Sequence, residues 1–141
     1  MGNSMESVEI PFVKHVGIQQ TDEILSLEYD SHLLNHLDTL HAGALFTLAE
    51  TASGIYLQSL FPEYKDKALP LLRSSNIQYK KPTTKNVFAY ASVERESQEK
   101  FEQQLLKKNR GVIIICIDLK DADEVMVMSG EFHWYVELRK I

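Results

Sequence analysis

With 141 residues, 44% of them hydrophobic and 25% charged, the chain is long enough for one globular domain with a core that needs no metal or disulfide support. A net charge of −5 without a basic face argues against a duplex nucleic-acid surface, and no run approaches the ~20 apolar residues of a membrane span. The single cysteine, Cys116, excludes an internal disulfide and reads as a core thiol in a reducing compartment.

The opening stretch, MGNSMESVEI, lacks a basic segment leading into an apolar one, and Glu6 stands where a myristoylation signal carries Ser or Thr. Neither a secretory leader nor a lipid anchor is expected, and the expected location is the cytoplasm. A first turn of helix near Glu6–Lys14 is interrupted by Pro11. Gly17 introduces two short strands, roughly His15–Gln20 and Glu23–Tyr29, the second alternating through Leu25, Leu27 and Tyr29. Residues 33–40 read as a polar loop.

A helix follows over about residues 41–59. Leu45, Leu48, Ala49, Ala52, Ile55 and Tyr56 fall on one broad face at ~100° per residue. Thr47, Glu50, Thr51, Gly54 and Gln58 form a narrow polar stripe flanked by Phe46 and Leu57. A helix this apolar is surrounded by structure, so its one acid, Glu50, needs either a water-facing side or a task. Pro62 ends the helix.

Strand patterns then occupy Leu69–Lys81 and Asn86–Glu96. Residues 97–110, SQEKFEQQLLKKNR, predict a short amphipathic helix with Ser97 as N-cap, Gly111 just past its end, and Phe101, Leu105 and Leu106 buried. Val112–Leu119, apolar and β-branched without alternation, predicts a central strand buried on both faces. A turn at Asp121–Glu124 leads to a last strand, Val125–Leu138. Strands joined by short turns after a helix indicate an α+β domain, an antiparallel sheet of five to six strands curled around one helix.

That order, with NHxxTxHAGALFxLAExASG at the loop-to-helix junction (Asn35 to Gly54), resembles the hotdog fold of the acyl-CoA thioesterases. The likeness is to the PaaI-like type and covers roughly residues 15–138. The helical insert resembles a functionally uncharacterised branch. The resemblance implies one hotdog domain over residues 1–141 that assembles as a homodimer or dimer of dimers. It implies hydrolysis of an acyl-CoA or other acyl thioester, with coenzyme A part of the substrate and no separate cofactor. Glu50, nine residues after His41, matches the carboxylate that activates water or attacks the thioester. Asn35 matches the loop amide that places water or substrate. Ala42 and Gly43 match the pair whose backbone N–H groups form the oxyanion hole, with Ala42 standing where the family has glycine. His41, Thr51 and Gly54 fall where substrate is held. Ser74–Ser75 is also near the carboxylate, and Lys80, Lys81 and Lys85, after the 69–81 strand, either meet coenzyme A phosphates or form a solvated turn.

The chemistry stands on its own terms. Thioester hydrolysis needs a stabilised oxyanion and an activated water or nucleophile, and a helix N-terminus supplies unpaired N–H groups and a positive dipole end. Bland readings compete: Glu50 as a solvated helix residue, His41 as a structural residue at the helix start, Asn35 as a turn residue. His133 alternates with aromatic residues in the last strand. The histidines show no HxxxH or HExxH spacing, so no metal site is expected. Two rival functions remain. One is a dehydratase on the same fold, with His36 fourteen residues before Glu50. The other is a non-catalytic acyl-CoA or acyl-chain binding module.

Overall fold

In the computed structural model, which describes residues 7–139, a six-stranded antiparallel sheet packs against one long helix. A short 3-10 turn (Ser7–Glu9) precedes helix α1 (Pro11–Val16) and the hairpin β1 (Gln19–Thr21) and β2 (Ile24–Leu27). Helix α2 (Ala42–Leu60) follows, then β3 (Ala68–Tyr79), β4 (Val87–Ser92), helix α3 (Arg95–Lys108), β5 (Arg110–Asp121) and β6 (Met126–Leu138). The sheet order is β1-β2-β4-β5-β6-β3. The fold is the expected α+β arrangement with one central helix. Among the described residues, no helix is long and apolar enough to cross a membrane.

Helix α2 is buried nearly all round. Its inner side packs on β5, β4, β2 and β6, and α1 with the preceding turn lies against it as well. Leu48, Ala49 and Ser53 are inaccessible, and Leu45, Ala52 and Leu57 nearly so. Burying a serine requires hydrogen-bond partners. Ser53 Oγ donates to the Glu50 carbonyl at 2.8 Å and accepts from Trp134 Nε1 at 2.9 Å, which pins helix to sheet.

Several sequence expectations change, and Leu106, expected on the buried face of the insert, is exposed. Pro11 opens α1 rather than interrupting a helix, because the first turn needs no N–H from it. The strand expected at His15–Gln20 shrinks to its last residues, since α1 runs on to Gly17, whose φ of 94° closes it in the left-handed conformation. Glu6, with the questions of a leader or anchor, lies outside the described residues.

Strand β5 is central but buried on one face only. Ile113, Ile115, Ile117 and Leu119 point at the helix, whereas Val112 is 52% exposed and Ile114 and Cys116 are half-buried. A single antiparallel sheet covered on one side has this pattern, and the β-branched run concealed it. Burial, then the carboxylates of Glu131, Glu94 and Asp118, push the Cys116 thiol up.

The insert runs Arg95–Lys108 rather than 97–110, with Glu94 as N-cap and Asn109, at φ 59°, as its left-handed C-cap. Ser97 serves the sheet instead. Strand β4 stops at Ser92, opposite Cys116, and leaves the first half of β5 without a strand on that edge. Helix α3 fills that place: Ser97 Oγ accepts from Ile114 N–H at 3.2 Å and Gln104 Oε1 from Val112 N–H at 2.9 Å. So close an approach requires Gly111, where a Cβ would sit 2.8 Å from Gln104 Oε1 and 3.0 Å from the Phe101 ring. The helix expected at 41–59 spans Ala42–Leu60.

Candidate functional site

The N-terminus of α2 is built by the loop before it. Asn35 organises that loop: its Oδ1 accepts from Leu37 N–H at 2.9 Å and Thr39 N–H at 3.1 Å, and its Nδ2 donates to Thr39 Oγ1 at 2.8 Å. Backbone bonds from Asn35 N to Thr39 O and from His41 N to Leu33 O complete the turn. The Asn35 amide is engaged in its own loop, as expected of a turn asparagine. His36 stands exposed in the same turn.

His41 is the N-cap. Its Nδ1 accepts from Gly43 N–H at 2.8 Å, so the ring proton lies on Nε2 and the Gly43 N–H is taken. The Ala44 and Leu45 N–H groups bond the His41 carbonyl. Of the first N–H groups of the helix, Ala42's is the one without a partner among the described residues, and Ala42 is an exposed residue. Sequence reasoning treated Ala42 and Gly43 as a pair of donors, whereas the imidazole cap leaves one open.

Glu50 lies two turns into the helix, ~12 Å along the axis from Ala42, with its side chain directed back toward the N-terminus. It is half-buried and has no hydrogen bond or ion pair to its carboxylate among the described residues. Burial alone raises its pKa above the ordinary 4.5. Around it the polar stripe is internally satisfied: Thr47 Oγ1 donates to Gly43 O at 2.8 Å and Thr51 Oγ1 to Thr47 O at 2.7 Å. Gly54 faces the indole of Trp134, which a Cβ there would meet at 3.4 Å.

Across from this stripe runs β3, a twelve-residue strand paired with β6 alone, so its other edge is open. Its register puts Leu72, Ser75, Ile77 and Tyr79 opposite the helix-facing residues Trp134, Phe132, Gly130 and Met128. Ser74 therefore points to the other face and Ser75 toward the helix side. Sequence reasoning missed Tyr79. Its hydroxyl approaches the Ala42 carbonyl to 3.5 Å, and burial raises its pKa. The signal available was only that β3 ends beside the helix start.

Lys80 and Lys81 follow directly, held by backbone bonds from both N–H groups to Val127 O. Thr83 O accepts from Leu40 N–H, which brings this segment beside the helix N-terminus. Neither lysine has an ion-pair partner among the described residues, whereas Lys85 pairs with Asp123. His133 lies on the outer face of the sheet, 3.6 Å from Glu131. The helix start thus gathers His41, Ala42, Gly43 and Tyr79, with the Lys80–Lys81 backbone following on β3, while Asn35 supports it from the loop and Glu50 lies two turns further along.

Comparison with solved structures gives matches over nearly the whole chain. A Pseudomonas aeruginosa protein of unknown function, described as a probable thioesterase, superposes with a TM-score of 0.76 at 19% identity, over 94% of this chain and 91% of that one. A Bacillus halodurans protein solved with CoA gives 0.69 at 20% identity, over 89% and 74%. The PaaI protein of the E. coli phenylacetic acid degradation operon gives 0.64 at 17% identity, over 90% and 84%. No curated protein matches the chain. The likenesses show that the chain has the hotdog fold. Residues 7–136 match the family described as a domain of unknown function, DUF4442, and the chain belongs to that family.

Proposed function

We propose that the protein hydrolyses an acyl thioester, with coenzyme A as the thiol. The observation that carries this reading is Glu50: a half-buried carboxylate that has no partner among the described residues, on a helix whose first N–H is open among them. An acid desolvated in this way is a better base near neutral pH than a solvated one. Glu50 takes a proton from water as the oxygen attacks the thioester carbon. The Ala42 N–H receives the developing oxyanion, helped by the positive end of the helix. Collapse breaks the C–S bond, and the proton held by Glu50 goes to the leaving thiolate. Lys80 and Lys81 would meet the phosphates of coenzyme A, a group that the Bacillus halodurans neighbour carries. The open edge of β3 supports pairing with the same edge of a second copy, which would close the Glu50 side of the helix in a homodimer.

The test is release of free thiol from short, medium, long and aromatic acyl-CoAs. Glu50→Gln, which keeps shape and loses the base, should lower kcat by ~10²–10⁴. Full turnover in that variant would remove the assigned mechanism. A second reading, a non-catalytic acyl-CoA binding module, is favoured by one observation: His41 occupies the Gly43 N–H, so a single main-chain donor is left where two were expected. Tight acyl-CoA binding without thiol release over hours would establish it.

A further inference from the structure

Helix α2 covers one face of the sheet, and the other face is marked at two places. Toward the end of β6, Tyr135 stands between Leu71 of β3, 50% exposed, and Val112 of β5, 52% exposed. Arg73, at the β3 bulge, lies over the Tyr135 ring, 4.6 Å from its centroid, and Tyr135 Oη donates to Glu137 at 3.1 Å. Ring and guanidinium together make a cationic knob on an apolar base.

Six residues back along β6 the same face sinks. A hollow of about 280 Å³ lies over Ser129, between Asn76 and Gln78 of β3 and Cys116 and Asp118 of β5, with Glu131 in its lining. Its two carboxylates make it anionic. Neither Arg73 nor Asp118 has an ion-pair partner among the described residues.

Knob and hollow sit on one strand, ~20 Å apart at ~3.3 Å per residue. A twofold axis that lies in this face, across the strands at Phe132, reverses the strand direction. It sets Tyr135 and Arg73 of each copy over Ser129 of the other, and His133 over the Glu131 row. Stacked sheets turn by about 30°, which displaces each end by ~5 Å, one strand spacing. The hollow reaches across three strands and accepts that displacement. Each contact occurs twice, as an isologous interface requires. A second copy of the same face therefore matches it in shape and charge at both places.

Area decides how many copies are needed. A strip ~30 Å long and three strands (~14 Å) wide covers about 400 Å² on each copy, so about 800 Å² in all. Stable interfaces take about 1,200–2,000 Å². Two strips side by side, in copies already joined at the β3 edge, give about 1,600 Å². Ser75, opposite Phe132, is near the middle of β3, so the axis crosses that edge pairing near its centre and four copies close.

We propose that the face of the sheet over β3, β6 and β5 joins two edge-paired dimers of this chain, with Arg73 and Tyr135 of one copy seated in the Ser129 hollow of another. The inference uses the β3 pairing and is independent of any catalytic reading.

The test is sedimentation equilibrium of the full chain over a range of concentrations, and the parent should form four copies. Arg73→Glu and Asp118→Lys, both at exposed positions, should each raise the constant for dissociation into two-copy species by ~10². Ser129→Tyr, which fills the hollow, should do the same. Arg73→Glu combined with Asp118→Lys exchanges the charges and should recover at least ~10-fold of the loss. A four-copy parent that no single variant weakens, or a combination that recovers nothing, overturns the proposal. So does a two-copy parent that Arg73→Glu leaves whole, which would give the face to a different partner. A two-copy parent that Arg73→Glu splits into single chains removes the β3 pairing and leaves the face standing.

Discussion

The two flanks of the central helix differ in an instructive way. On one lie Glu50 and Gly54, with the Trp134 ring against the glycine. On the other, where β2 leaves β4 after pairing only at Ser26 and Leu27, a groove of about 500 Å³ opens over Ala52, Ile55, Tyr56 and Ser59. These four residues sit about 120–180° around the helix from Glu50. By volume the second groove is the better binding site. Its lining includes Gln20 and Glu23 but no cation, and the residues that face it from the helix offer no open main-chain donor. The Glu50 flank carries, among the described residues, a carboxylate without a partner, and the helix start beyond it carries an open N–H and two lysines without an ion-pair partner. A thioester of coenzyme A brings negative phosphates and develops negative charge on its carbonyl oxygen. Charge and donors therefore select the flank where volume alone would choose the other.

The largest effect that would break this comparison comes from Ala42→Pro. Proline has no N–H, so the substitution deletes the one open donor. The first helical position tolerates it, and His41, at φ −64° and ψ 140°, already has the extended conformation that a residue before proline requires. Thiol release should fall by ~10²–10³, with a thermal midpoint close to that of the parent. Ser59→Phe is the counterpart on the opposite flank: it obstructs the larger groove from an exposed position and should leave turnover unchanged. If Ser59→Phe stops turnover and Ala42→Pro does not, the substrate lies on the other side of the helix.

A middle-sized effect concerns how the two flanks are held apart. Ser53 connects Trp134 to the helix, and it was legible in sequence only as one small residue among many in an apolar helix. Ser53→Ala leaves the buried Trp134 N–H without its acceptor and should cost about 1–3 kcal/mol in denaturant unfolding, with an unchanged slope. A loss under half a kcal/mol would mean that the indole finds another partner.

What sequence could and could not disclose follows from the range of the interactions. The central helix was legible because its apolar periodicity is local and unbroken, and Glu50 stood out against that background. The family motif added the fold. The β5 run from Val112 looked buried on both faces because β-branched residues carry no mark of which side is covered. Ser97 looked like a cap because its position at the head of a charged helix is the usual place for one. Only the early end of β4 shows that the hydroxyl is needed by Ile114. Asn35 and Gly43 were assigned from spacing, and spacing does not reveal that the first is engaged by Thr39 or that the second is capped by the imidazole before it. The place of Tyr79 depends on a contact with Ala42, far away in the chain, which no window of sequence contains.

The smallest effect sharpens the account of Glu50 itself. Burial lifts its carboxyl above the ordinary value of 4.5, so the folded chain favours the protonated form more than the unfolded chain does. Stability from this group is therefore complete below about pH 4.5 and is lost as pH rises through the higher folded value. Glu50→Gln is neutral at every pH and escapes that loss. Its thermal midpoint should match the parent's in acid and exceed it at pH 7 to 8. Because the group is half-exposed, solvent screening keeps the gain below ~1 kcal/mol. The same carboxylate that the reaction needs is thus a small burden on the fold, as expected of a residue kept for chemistry rather than for packing. If the gap instead runs the other way, with the parent more stable at neutral pH, a cation faces Glu50 in the assembled protein. The second copy at the β3 edge would then be the first place to look for it.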